Sequence, residues 1–460
     1  GTLYVAVAGA DEVVAVDPKA KKVLHRWPAP REPRRLALSA DGRYLAAAST
    51  RSAQVRLWDT KTNKLVWEEL VGDAFNLRGL AFTPDGASVV CSHAVRRTFP
   101  VSKGHIEVGW VIDSRLTRLA VKPDADSMFW QIALDRRGLA VGDPDGLTFC
   151  GDTLAVSAAG THELLLLEGA HIPWNTGSPG DFMDVRLEIG DHKLRRVELG
   201  GRPMTVAPLA GGEVAVANYL LDAVQVVDLK ADKVVRTIPL GGPAEPAPAR
   251  QGEALFYDAR RSTNQWFSCN TCHADGHTCG LTFDTLNDDS YGNPKLTPSL
   301  RGVTKTAPWT WHGWQKDLGA AVTKSYTETM FGAKPTDAEV KAVLAYLATL
   351  EQPPNPNRKD EAAARGEKLF HGKAACAHCH KGDEYTSGGV YDVKLEEDGS
   401  PYDKWNPPSL RGLWDRGPYL HDARAETLED VLKYHGPERL GGQELTPDER
   451  KDLIAFLKSL

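Results

Sequence analysis

Internal repetition constrains this chain more than any other feature. In its first half one unit recurs: a short apolar strand, an Asp-Gly type turn, a second strand, a strand ending in Asp, a lysine-bearing turn and a last strand. The clearest copy is 36–70, where LALSADGRYLAAAS runs into QVRLWDTKTNKLVWEEL, and LAFTPDGASVVCS at 80–92 opens the next. Residues 3–27 read as the same unit without its first strand, 147–199 as a copy interrupted by a polar insertion around 169–190, and 206–240 as a late copy. Each segment alternates apolar and polar side chains, the period of a half-buried antiparallel strand. Four strands in about forty residues, repeated, predict an all-β propeller, placed here at 1–243. Five copies are recognisable and 100–145 is too irregular to assign, which allows five to seven blades. A ring must close, so a strand from the far end of the domain is available to complete the first unit.

The phrasing of these units resembles the YVTN family of bacterial propeller repeats. GGPAEPAPAR at 241–250 then reads as a semi-rigid spacer, and helical spacing replaces alternation, as in TDAEVKAVLAYLATL at 336–350 behind a Thr-x-x-Glu capping box. This second half is duplicated. Arg-x-Gly-Glu-x-Leu-Phe recurs at 250–256, with one extra residue, and at 365–370; PSLRG recurs at 298–302 and 408–412; and an offset of 110 carries Trp311 onto His421 and the helix 336–350 onto 446–460. Two mainly α domains of cytochrome c type, 249–354 and 359–460, are therefore expected, joined by EQPPNPNRKD.

Each copy carries Cys-x-x-Cys-His: Cys269, Cys272 and His273 in the first, Cys376, Cys379 and His380 in the second. Two thiols three residues apart on one turn suit thioether bonds to the vinyl groups of a haem, with the next imidazole beneath the iron. A zinc site has no requirement for a His directly after the second Cys. Two covalent c-type haems are thus expected, and with them a periplasmic or otherwise extracytoplasmic location, because such haems are attached outside the bacterial cytoplasm. The chain begins at Gly1 inside a strand-like segment, so residue 1 is not expected to be the start of the gene product. No run approaches the about 18 apolar residues of a membrane span. With 55 Lys+Arg against 61 Asp+Glu, a net charge of −6 gives no basic field for nucleic acid.

Two c-haem units in tandem, each with PSLRG followed by a Pro-aromatic-x-Trp or -His segment ahead of a helix, resemble the bacterial diheme cytochrome c peroxidase family, which includes MauG-like proteins. The resemblance covers 249–460 and is specific at PSLRG, at PYLHDARAETLEDVL (418–432) and at both haem motifs. It implies an oxidoreductase in which peroxide or another small oxidant reacts at the first haem and electrons from a redox partner protein pass through the second. By the same resemblance Trp311 is the tryptophan between the haems, His421 contacts a haem propionate, and His435 stands at the distal ligand of the second haem, with Tyr434 as the alternative. An interdomain calcium ion is implied by the resemblance alone. The departure is at the first haem, where Ala321 and Phe331 replace the Gln and Glu of peroxide-reducing members. Glu328 is the nearest carboxylate and the expected proton carrier, its pKa raised by an apolar haem pocket; a distal Met330 or His312 would instead close the iron. A non-enzymatic di-haem electron carrier and a propeller docking subunit of a larger redox complex are the alternatives to a peroxidase-like enzyme.

Overall fold

Asp17, Asp59 and Asp228 show how the repeated unit folds. Each ends a strand and turns its Oδ1 back to accept two backbone N–H groups, from Lys19 and Ala20, Lys61 and Thr62, and Lys230 and Ala231. That Asx arrangement starts the lysine-bearing turn. The computed structural model describes residues 1–122, 129–176, 179–243, 245–357, 359–395 and 400–460. Ala244 and Arg358, one in each expected linker, and 123–128 within the unassigned stretch lie outside the described residues.

By compactness the chain forms two units, the first made of Gly1–Phe99, Lys103–Pro246 and Phe256–Thr271, the second of Pro100–Ser102, Ala247–Leu255 and Cys272–Leu460. Among the described residues the first unit holds five antiparallel sheets. The unit lacking a strand is indeed three-stranded, Leu3–Val7, Glu12–Asp17 and Lys22–Pro28. The far-end strand that was available to complete it belongs elsewhere: Pro203–Pro208, Glu213–Asn218, Ala223–Asp228 and Lys233–Pro239 form their own four-stranded sheet.

Consecutive sheets bury their faces against each other. Val13 and Trp27 pack with Leu45 and Trp58, Val55 and Leu57 with Leu77 and Val89, and Leu116 and Ile132 with Leu165 and Leu167. Leu164 and Leu166 point the other way, onto Val214 and Val216. A strand with both faces covered needs no polar side, which explains the unbroken apolar run in ELLLLE at 163–168. First strands of successive sheets come very close where there is no side chain: a Cβ on Gly79 would meet Asp145 O at 2.3 Å, and one on Gly146 would meet Met204 O at 2.2 Å. Arg35, Gly79, Gly146 and Thr205, from four such first strands, line a cavity of about 630 Å³.

The irregular region becomes part of a five-stranded sheet, Ala74–Phe82, Ser88–Arg96, Ile112–Ala120 and Phe129–Ala133, edged by Asn175–Thr176 from the polar insertion, with Trp130 opposite Thr176. Phe256–Thr271 is held within this same unit. Trp266 Nε1 donates to Ile112 O, Asp143 accepts hydroxyls from Ser268 (2.5 Å) and Thr271 (2.6 Å), and Asn76 Nδ2 donates to Thr271 O at 2.9 Å.

The second unit keeps its duplication at matched elements. Helices Leu318–Lys324 and Leu428–Tyr434, the helical turns Val303–Lys305 and Leu413–Asp415, and the capping boxes Thr336/Glu339 and Thr446/Glu449 all repeat at the offset of 110. Glycine in Arg-x-Gly-Glu lets two helices touch: a Cβ on Gly252 would lie 1.9 Å from Ala342 O, and one on Gly366 2.0 Å from Asp452 O.

Candidate functional site

In each copy the motif histidine is oriented by the repeated PSLRG region or the turn beside it. His273 Nδ1 lies 3.0 Å from Pro298 O, and His380 Nδ1 3.0 Å from Tyr385 O. An N–H donated to a carbonyl fixes the tautomer and leaves Nε2 with its lone pair outward, the arrangement a metal-bound imidazole uses. Burial holds the His273 pKa down to about 4 and lowers that of His380, so both rings are neutral and ready to ligate. Cys269–Cys272 form a single helical turn, and Cys376–His378 a tighter one. Burial pushes the Cys376 thiol up to about 11.

His435 ends the helix Leu428–Tyr434, whose entry is fixed by the capping box of Thr427 and Asp430. Its ring faces His380 with centroids 6.3 Å apart and planes at 86°. Two imidazoles bonded to one metal ion at about 2 Å, with ring centres about 1 Å behind each nitrogen, stand roughly 6 Å apart. Burial and then the neighbouring His380 hold the His435 pKa down to about 4, and its Nδ1 is buried with no hydrogen-bond partner among the described residues. The pair fits an iron held between two imidazoles. Tyr434, the alternative, is more than a third exposed.

At the first haem the structure changes the expectations. Glu328 is exposed and pairs with Lys324 at 2.7 Å, so it does not sit in the apolar pocket expected of it. His312 sits in an aromatic cluster, its Nδ1 3.0 Å from Lys404 O and its ring 4.7 Å from Tyr402 and 4.4 Å from Trp405. Met330 is buried at the end of a π-turn, Ser325–Thr329, that extends the helix Leu318–Lys324. Such turns concentrate at functional sites. The residue 110 places before His435 is Ser325, exposed, with its hydroxyl donated to Ala321 O at 3.0 Å.

Trp311 and His421, equivalent by the repeat, meet edge to face with centroids 6.4 Å apart. Trp311 Nε1 donates to Leu296 O at 2.8 Å, and buried His421 lies 3.8 Å from the ring of Trp405. Trp405 was not singled out from the sequence. Its only signal was an aromatic three residues before PSLRG. For the calcium ion implied by resemblance, the described residues of 247–460 offer no group of three or more His, Cys, Asp or Glu ligands close enough to share an ion.

The site thus defines a protein with two c-type haem centres in a duplicated helical scaffold. Residues 246–356 match the family "Di-haem cytochrome c peroxidase", and 363–460 the family "Cytochrome c". Among curated relatives, methylamine utilization protein MauG of Methylorubrum extorquens is 28% identical over 288 residues, covering 48% of this chain and 80% of that protein. Hydrazine synthase subunit gamma of Kuenenia stuttgartiensis is 26% identical over 275 residues, 46% of this chain and 77% of that one. Cytochrome c551 peroxidase of Nitrosomonas europaea is 25% identical over 287 residues, 50% and 85%. The C-terminal half is a MauG-like di-haem cytochrome c peroxidase domain followed by a cytochrome c domain. It carries two covalent c-type haems and is a di-haem oxidoreductase of peroxidase-like kind. No helix among the described residues is long and apolar enough to cross a membrane.

Proposed function

We propose that the haem held by His273 is the open, reacting centre for peroxide or another small oxidant, and that the haem held by His380 and His435 is the closed, electron-supplying one. The asymmetry of the repeat carries this reading. One copy presents His435 opposite its motif histidine, whereas the other has Ser325 at that place, a side chain that does not ligate iron and is bonded to its own helix. Haem bound at the first motif would supply cleavage of a peroxide O–O bond. His273 and His380 would hold the two groups, and buried Met330 and Tyr326 mark the π-turn as the apolar end of the helix Leu318–Lys324. Trp311, His421 and Trp405 give aromatic contact between the two copies along which an electron has a short path. Glu328 is given no proton-transfer role, because its carboxylate is exposed beside Lys324.

The five sheets are read as blades of a propeller. Support comes from faces buried in chain order, first strands converging at Gly79 and Gly146, and the cavity those strands line. Such a disc would dock a redox partner protein or the substrate. Covalent haem supports an extracytoplasmic location.

Ferric spectra with and without hydrogen peroxide test the assignment. One high-spin and one low-spin haem are expected, with peroxide altering the high-spin signal. Ser325→His should convert it to low spin and abolish the response. Two low-spin haems indifferent to peroxide would make the protein an electron carrier, and Met330→Leu would then show whether Met330 closes the first iron.

A further inference from the structure

We propose that Glu168, His171 and His192 form a binding site for a divalent transition-metal ion of the zinc and copper type, separate from the haem irons. Glu168 ends the strand Glu163–Glu168, His171 lies in the turn Gly169–His171 that follows, and His192 stands just before the strand Arg195–Glu198. The two strands are partners, with Leu166 opposite Arg195, so the cluster lies where both ends of the polar insertion meet. His192 Nδ1 is 2.6 Å and His171 Nδ1 3.4 Å from the same carboxylate oxygen, Oε2 of Glu168. The imidazoles stack face to face, centroids 3.5 Å apart and planes within 4°.

One ligand atom from each residue lies within 4.8 Å of the other two. A tetrahedral ion with bonds of about 2.0–2.2 Å separates its donors by about 3.3 Å, so the closing of this triangle needs small movements. The two rings are about half exposed, at 48% and 49%, and turn readily to direct both lone pairs at one ion. The backbone beneath them is pinned: Gly169 N donates to Asp152 O at 2.7 Å and Ala170 N to Asp152 Oδ2 at 3.1 Å, while a Cβ on Gly169 would meet Asp152 O at 2.6 Å. Two imidazoles with one carboxylate select zinc, copper or nickel over calcium and magnesium, which want oxygen shells. Remaining positions fall to water, and a bound ion fastens the base of the insertion. The competing account is a carboxylate that merely accepts two ring N–H groups, and it binds no metal.

Holoprotein equilibrated with Zn²⁺, freed of excess and analysed for zinc and iron distinguishes them. One zinc per two irons is expected, lost in His171→Ala/His192→Ala and diminished in Glu168→Gln, with protease cleavage inside 169–190 slowed by Zn²⁺ in the parent only. Parent-like thermal unfolding without zinc reports that the variants fold. Absence of stoichiometric zinc in the parent, or zinc undiminished in the double variant, overturns the proposal.

Discussion

His93 is enclosed in the third sheet, its Nε2 2.7 Å from Thr117 Oγ1 and its Nδ1 3.2 Å from Ala94 O. These partners suit a neutral ring, and burial holds its pKa down to about 3; burial likewise holds His162 down to about 4. Both folded values lie below an unfolded value near 6.5, so the contribution to stability is complete above that pH. As pH falls below it, the unfolded chain takes up protons that the folded chain refuses. Each ring lowers the free energy of unfolding of the sheet unit by up to about 1.4 kcal/mol per pH unit between about pH 6 and 4, while burial raises the Asp135 carboxyl to about 7 and gives a slope of opposite sign over the same range, so a net fall of about one ring's share is expected. Thermal or urea unfolding across that range measures the slope, and His93→Gln should remove one ring's share. At the second haem, His435→Ala should turn a low-spin iron high-spin, and His435→Met should keep it low-spin at a raised potential. Stopped-flow reduction should show Trp311→Phe and Trp405→Phe slowing electron exchange between haems several-fold with both spectra intact; unchanged rates would remove the aromatic cluster from the electron path.

Where two helices cross at a glycine, the repeat makes the same demand twice. Gly252→Ala or Gly366→Ala places a methyl group inside a backbone carbonyl and should cost about 3 kcal/mol or more, whereas Thr446→Ala, losing one cap of the last helix, should cost about 1 kcal/mol. Urea unfolding followed at the haem absorbance separates these magnitudes. Elements of this kind are legible because their causes are local. The Asx turns after Asp17, Asp59 and Asp228, the capping boxes and the 110-residue offset each depend on residues a few places apart. What the sequence hid depends on distant partners. Asn175–Thr176 is a strand only because the edge at Trp130 and Gln131 accepts it. Trp405 matters only because His421 is folded against it, and Glu328 looked like a pocket residue until the π-turn set it facing Lys324.

At the scale of the whole molecule, the chain does not divide into two contiguous stretches. It leaves the sheet unit after Pro246, returns for Phe256–Thr271 and leaves again inside the first haem motif. The returning stretch supplies Trp266, 2% exposed, the two hydroxyls on Asp143 and the carbonyl that holds Asn76. A fragment ending at 246 should therefore melt well below the same sheets in the full chain, and Asp143→Ala should destabilise the full chain by about 1–3 kcal/mol. Calorimetry on both measures this. Equal melting of fragment and full chain would show that the returning stretch adds nothing. Interleaving of this sort also limits how such a protein can be recombined: a break at the proline-rich stretch would deliver sheets stripped of one of their own segments and a haem motif whose Ser268 and Thr271 have lost Asp143, so exchange of either half alone should be disfavoured.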